Sequence, residues 1–413
     1  MHLAIQWPRF GPYHWARLRA THALFAERGG RVSAIETAGR DRYAWAPEEA
    51  TAAFHSRTLF PSSVFESLEP AAVRAAVDAT LDELDPDAVA ITSYSFPDAR
   101  ACLAWCRRRR RTAILMFDSR AEDAARTAWR ETIKRHIVAG YDAALVAGKP
   151  QRRYLEQLGF PPAFIFQTVD AVDNAYFAEG ADAVRASPSD AATLPGLADE
   201  RPYFLAVVRL LPFKNVDGLV RAYAHYHAAA EAPWRLVIAG DGPQRENLET
   251  LAASLGVAPD TTFAGFQQSQ SLPAYYGLAG AFVHASHRDQ WGLVVNEAQA
   301  TGLPVLVSRQ SGCAEDLVVE GETGFTFDAA DEPALARLMA HVASAAVDRD
   351  ALGRAGKARI AGWSLERFAE GMWDAATAGA ARSDRRTPLG TAAALGALRL
   401  AARRADSFQT VPE

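Results

Sequence analysis

Short runs of apolar residues alternate along the chain with longer stretches whose apolar positions recur at helical spacing. Leu3–Trp7, Val32–Glu36, Ala88–Thr92, Ala113–Phe117 and Ala143–Val146 read as buried strands, with helical patterns such as Trp15–Arg28 and Ala71–Leu84 between them. Such an order predicts an α/β fold with a parallel sheet covered by helices on both faces. The rhythm stops at residues 178–201, "AEGADAVRASPSDAATLPGLADER", where small and polar residues and two prolines have the composition of an interdomain linker. It restarts with Tyr203–Val208, Arg235–Ala239, Thr261–Ala264, Ala281–His284 and Pro304–Ser308 as a second strand series. Two Rossmann-like domains facing across a cleft are therefore expected, over residues 1–177 and 202–362, with ligands at the carboxyl ends of the strands. After about Ser383 the chain is rich in alanine and arginine, and residues 384–413 are expected to be a flexible tail.

Length and composition fit this division. A chain of 413 residues, 49% of them hydrophobic, is long enough for two cores. The formal charge of −5 and pI near 6.1 lack the basic footprint of a nucleic-acid binder, so no nucleic-acid partner is expected. Cys102, Cys106 and Cys313 are the three cysteines, and the close pair sits at i, i+4 on an expected helix. Neither a disulfide framework nor a zinc knuckle is suggested, which fits a reducing cytoplasm. The opening "MHLAIQWPRFGPYHW" has no basic region ahead of an apolar run, and no apolar stretch reaches the roughly 18 residues of a membrane span. A cytoplasmic protein, in solution or peripheral to a membrane, is expected.

The chemistry concentrates in the second half. "RDQWGLVVNEAQATGLPVLVS", residues 288–308, parses as a loop to Trp291, a helix from about Gly292 to Thr301, a stop at Gly302 and a strand from Pro304. Asp289 precedes the helix and Glu297 lies on it, so both carboxylates can face a ligand laid across the helix N-terminus. The first-turn amides of Gly292, Leu293 and Val294 and the positive end of the helix dipole suit a phosphate there. In "VVRLLPFKNVDGL" a strand ends near Arg209 and Lys214 follows five residues on. A planar guanidinium and a mobile ammonium suit a diphosphate, each contact being worth up to ~4 kcal/mol at about 4 Å before desolvation. "VIAGDGPQREN", residues 237–247, adds a tight turn at the end of another strand, without a dinucleotide fingerprint.

Together these segments resemble the GT-B-fold retaining glycosyltransferases of family four. "VRLLPFK", "IAGDGPQRE", "FAGF", "RDQWGLVVNEAQATGLPV" and "SGCAEDLVVEGETGF" match that family's motifs in order, over most of residues 200–330. The resemblance implies transfer of a sugar from a nucleoside diphosphate donor to an acceptor glycan, lipid-linked molecule or small molecule, with retained configuration and no cofactor or essential metal. It implies that Arg209 and Lys214 hold the diphosphate, Phe266 lies near the base and Glu297 binds the ribose. Asp289 and the Gly292–Val294 backbone would hold the donor sugar. The N-terminal domain would be the acceptor side, and residues 363–383 a helix crossing back to it, with Trp363 and Phe368 as packing anchors. The sequence departs from the family in having Asp289, one methylene shorter than the usual Glu. It also has Asp118, not His, after "TAILMF", where the side chain could meet a sugar hydroxyl or simply cap the following segment. Two other readings are a nucleotide-sugar epimerase of the same shape and a sugar-nucleotide binder without catalysis.

Other features have bland readings beside functional ones. Gly11, in "PRFGPYHWARL", could let the backbone approach a donor or simply make a turn, and His14 reads as a surface or capping residue. "CRRRRR", residues 106–111, reads as a solvated helix end or as a contact with an anionic membrane surface. His284 reads as a satisfied core histidine, His287 as a residue lining the cleft, and the two without a third partner make no metal site.

Overall fold

The computed structural model describes residues 1–41, 54–382 and 390–394. The chain divides into two units, Met1–Ala171 joined by the chain from Leu365, and Val172–Ser364.

In the first unit the apolar runs form strands β1 (His2–Trp7), β2 (Arg31–Arg40), β3 (His55–Val64), β4 (Ala88–Thr92), β5 (Thr112–Phe117), β6 (Ala143–Val146) and β7 (Ile165–Gln167). They lie in the order β3-β2-β1-β4-β5-β6-β7, every pair parallel. Helices α1 (Pro12–Glu27), α2 (Pro70–Leu84), α3 (Pro97–Arg109), α4 (Ala128–Val138) and α5 (Lys149–Gln157) connect them. Three of these helices carry proline at their first position, where its missing N–H costs nothing and its fixed φ starts the helix. Trp105, Phe117, Tyr141 and Tyr154 are fully buried in the core.

In the second unit α6 (Asn174–Ala186) leads into β8 (Tyr203–Val207), α7 (Val216–Ala229), β9 (Arg235–Ala239), α8 (Arg245–Ser254), β10 (Thr261–Gly265), α9 (Leu272–Leu278) and β11 (Ala281–His284). Then come α10 (Leu293–Ala300), β12 (Val305–Ser308), α11 (Ala314–Leu317), β13 (Gly324–Phe327), α12 (Glu332–Ala343) and α13 (Arg349–Ile360). The sheet order is β10-β9-β8-β11-β12-β13, again parallel. Order reverses beside β8, so the loops after β8 and β11 open at the switch point where such sheets bind ligands. Helix α14 (Leu365–Ala381) belongs to the first unit, where Phe368 and Met372 are fully buried.

The structure departs from the sequence reading in four places. The expected linker 178–201 begins inside α6, whose Asp173 caps it by accepting from the Tyr176 amide at 3.0 Å. Its small residues are a packing surface, Gly180 and Ala181 lying against Pro273 and Gly277 of α9. The rest is held by Arg235, which donates to the carbonyls of Gly196 at 2.8 Å and Arg201 at 3.1 Å. Strands β3, β7 and β13 were not expected from the apolar pattern, and each is an edge strand. The arginine run is not uniformly solvated: Arg107 is buried against Asp142, whereas Arg108, Arg109 and Arg111 pair with Asp78, Asp82 and Asp85 at the surface. Finally, residues 390–394 are helical rather than loose, with Thr391 buried and its hydroxyl donating to the His136 carbonyl at 2.5 Å. The remainder of the expected tail lies outside the described residues. Among the described residues no helix is long and apolar enough to cross a membrane.

Candidate functional site

The site in the second unit is built on backbone that glycine makes possible. Gly240 has φ +156°, and a Cβ there would stand 1.8 Å from the Val208 carbonyl oxygen. Without that side chain, the turn after β9 lies directly on the segment after β8. The amides of Val208 and Leu210 donate to the carbonyls of Ala239 and Asp241, both at 3.0 Å, and the Gln244 amide donates to the Leu210 carbonyl at 3.2 Å. Arg209 stands between two clamped residues, so "GDGP" acts as the clamp that fixes Arg209. Phe266, 37% exposed, follows β10 on the other side of the same turn, where the Gly240 amide donates to the Gly265 carbonyl at 2.8 Å.

Lys214 ends a short 3-10 turn, Pro212–Lys214. The next residue, Asn215, is left-handed at φ +55°, and its buried side-chain amide donates to the carbonyls of Ala285 at 3.0 Å and Ala329 at 2.8 Å. The Phe213 carbonyl accepts from the His287 amide at 3.0 Å. These bonds fix the β8 loop to the β11 loop and bring Lys214 Nζ to 2.5 Å from Asp289 Oδ2. His284 Nε2 approaches the same oxygen to 3.1 Å. Burial alone would raise the Asp289 pKa, but the Lys214 ammonium beside it outweighs that and holds the carboxyl well below the ordinary aspartate range. The Asp289 carbonyl accepts from the Gly312 amide at 3.0 Å, and that of Trp291 from the Cys313 amide at 3.1 Å, so the loop carrying the carboxylate is fixed on its other side too.

Helix α10 starts as expected. Gly292 is its N-cap at φ +108°, and Leu293 and Val294, both half-buried, form its first turn. A Cβ on Gly292 would be 3.2 Å from His284 Nε2 and 3.4 Å from Cys313 Sγ. Glu297 is fully buried, and its Oε2 accepts from the Tyr276 hydroxyl at 2.6 Å. The second unit thus brings Lys214, Asp289 and Gly292 together, with Glu297 one turn along α10. Arg209 is held on the adjoining loop and Phe266 beyond the Gly240 turn. Two neighbours of these residues were not legible in the sequence. Tyr276 carries no pattern that separates it from a core tyrosine. His284, expected to be a satisfied core histidine, instead turns its Nε2 to Asp289; the signal was its place at the carboxyl end of β11, five residues before the carboxylate.

In the first unit, Asp118 follows β5 and Gly11 precedes α1. Gly11 has ordinary extended backbone, φ −118°, so nothing in its conformation requires glycine. Its amide donates to His14 Nδ1 at 2.9 Å, which makes His14 a cap. Burial, with the nearby Arg17 and Arg9 charges, pushes the His14 pKa down to about 3. Asp118 is part of the charge environment of the buried Arg17 guanidinium, with Asp170 and Tyr13. Among the described residues no group of three or more His, Cys, Asp or Glu is placed to hold a metal ion.

Residues 194–359 match the family of glycosyl transferases group 1. The glycosyl transferases group 1 segment contains every candidate site residue of the second unit. A GDP-mannose-dependent alpha-(1-6)-phosphatidylinositol monomannoside mannosyltransferase of Mycobacterium tuberculosis is 33% identical over 186 residues, 42% of this chain and 47% of the relative. A D-inositol 3-phosphate glycosyltransferase of Acidothermus cellulolyticus is 34% identical over 205 residues, 47% of this chain and 44% of the relative. The chain thus spans about half the length of these curated relatives. Among solved structures, sucrose-phosphate synthase from Thermosynechococcus elongatus superposes with a TM-score of 0.70 at 20% identity, over 90% of this chain and 97% of that one. The likeness shows the fold, two Rossmann-like units of the GT-B class.

Proposed function

We propose that the protein is a retaining glycosyltransferase that moves a sugar from a nucleoside diphosphate donor to an acceptor hydroxyl without a metal. The observation that carries this reading is the meeting of Lys214 and Asp289 at the N-cap of α10. The cation, with Arg209 on the clamped loop, takes the diphosphate and stabilises it as it leaves. The carboxylate and the amides of Gly292, Leu293 and Val294 hold the donor sugar. An oxocarbenium-like centre and a departing diphosphate need partners of opposite sign, and one site supplies both. Glu297, oriented by Tyr276, receives the ribose, and Phe266 borders the base. The first unit, with Asp118 and Gly11, binds the acceptor. The name of the mannosyltransferase relative supports a nucleoside diphosphate sugar as donor, and both relatives' names support an acceptor bearing several hydroxyls.

The test is release of nucleoside diphosphate from UDP-glucose and GDP-mannose, with and without inositol phosphate as acceptor. Product analysis by NMR assigns the anomer, and the rate is compared with and without EDTA. Sugar transfer with retained configuration, undiminished by EDTA, is expected. Solvent deuterium entering the sugar at C2 would instead make the protein an epimerase, and donor binding without transfer or hydrolysis would make it a binder.

A further inference from the structure

Asp289 Oδ2 has two basic neighbours, and only one of them is suited to a diphosphate. Lys214 arrives on a loop and is 13% exposed, whereas His284 sits on β11 at the sheet's carboxyl end and is 3% exposed. His284 Nε2 is buried and 3.1 Å from Oδ2, yet too poorly aligned to make a hydrogen bond. A buried polar atom without a partner costs about 1–3 kcal/mol, so a group aimed this way at a carboxylate is poised for a contact the present arrangement does not complete.

We propose that His284 is a positioning residue which takes over Asp289 when Lys214 turns to the donor's diphosphate, and that it gains a proton as it does so. The proposal rests on the glycosyl-transfer reading of the site. When Lys214 leaves, a carboxylate with little access to water loses its counter-charge. The imidazole accepts one proton from solvent, and the resulting imidazolium donates through Nε2–H to Oδ2. Lys214 keeps its own proton, so donor binding takes up at most one proton overall.

The surroundings of His284 leave few other groups to answer that charge change. Asp289 and Lys214 face it from the two loops, and the Cys313 thiol lies across Gly292. The first turn of α10 adds a positive dipole end beside it. The register partner of His284 on β12 is Val307, and the Phe282 ring lies nearly parallel to the imidazole at 6.5 Å.

The experiment is calorimetric binding of UDP-glucose and of GDP-mannose to the full chain in buffers of different ionisation enthalpy, between about pH 7 and pH 8.5, where free imidazole is neutral. The wild type is expected to take up a proton, and Kd to weaken with rising pH by up to about tenfold per unit, the limit for one linked proton. His284→Gln is expected to bind with no uptake and a flat pH profile, and to raise KM for the donor severalfold; His284→Leu should add a fall in kcat. Uptake retained in His284→Gln, or absent in a wild type that binds donor, overturns the role of His284 and leaves the glycosyl-transfer reading standing. A wild type that binds neither nucleotide sugar overturns both. Should His284→Leu fail to fold, the conservative glutamine variant still decides between these results.

Discussion

The carboxyl edges of the two sheets are built from similar residues and put them to different use. In the second unit, Lys214 and His284 converge on one carboxylate oxygen of Asp289, and the loops carrying Lys214 and Asp289 are held by backbone hydrogen bonds. In the first, the comparable charge is spent on structure. The buried Arg17 donates to the Ala171 carbonyl at 2.8 Å, and His14 caps Gly11. One edge pairs a lysine with a carboxylate across two loops, and on the proposed function an incoming diphosphate exchanges with that pair. The other holds its cation with one backbone carbonyl and the Asp170 carboxylate at 3.6 Å, partners that belong to the fold itself. Sheet topology opens both edges to a ligand, and the partners of the charged groups decide which one carries the anion chemistry.

The sharpest way to break this contrast is to remove the exchangeable cation. Lys214→Ala is expected to lower kcat/KM at least about a hundredfold, roughly 3 kcal/mol of lost transition-state stabilisation, while urea unfolding shows a folded protein. Gly240→Ala attacks the clamp instead. A methyl group forced towards the Val208 carbonyl should lower the unfolding free energy by about 3 kcal/mol and displace Arg209, seen as a reduced urea midpoint together with weaker donor binding. Tyr276→Phe removes the bond that orients Glu297 and is expected to raise the donor KM up to about tenfold, with kcat less affected.

The smallest effect lies in the first unit. His14→Ala should cost about 1 kcal/mol of stability through the lost cap and leave the donor Kd unchanged. It should also alter acid unfolding. The His14 pKa is lowered to about 3, so its neutral form is favoured in the folded state. Its contribution is complete above an unfolded value near 6.5 and lost progressively as pH falls towards about 3. The variant is expected to show a shallower decline of stability across that window.

The strands interior to each sheet were legible because burial on both faces demands a continuous apolar run. The edges were not. β3 includes Pro61 and is largely half-exposed or exposed, β7 is three residues long, and β13 opens on Gly324. An edge strand tolerates proline and need not be apolar on both faces, so it leaves no run to read. In the site, the pairing of Asp289 with the α10 N-terminus was readable because a helix stop, a loop acid and a following strand punctuate the chain. The role of the "GDGP" turn was not, since it depends on a contact with a segment some thirty residues earlier. His284 was misread for a related reason. Alternation along β11 marks it as buried, but which polar group a buried histidine meets is set by the loops, not by its own strand.

The central claim is that Lys214, paired with Asp289, is the receptor for a nucleotide sugar's diphosphate. The direct measurement is the affinity of UDP-glucose and GDP-mannose for the wild type and for Lys214→Ala, by calorimetry at matched ionic strength. The account predicts that the wild type binds at least one of them and that the variant binds it at least about thirtyfold more weakly, roughly 2 kcal/mol. Equal affinity in the two proteins, or no binding of either nucleotide sugar to the wild type, would contradict it.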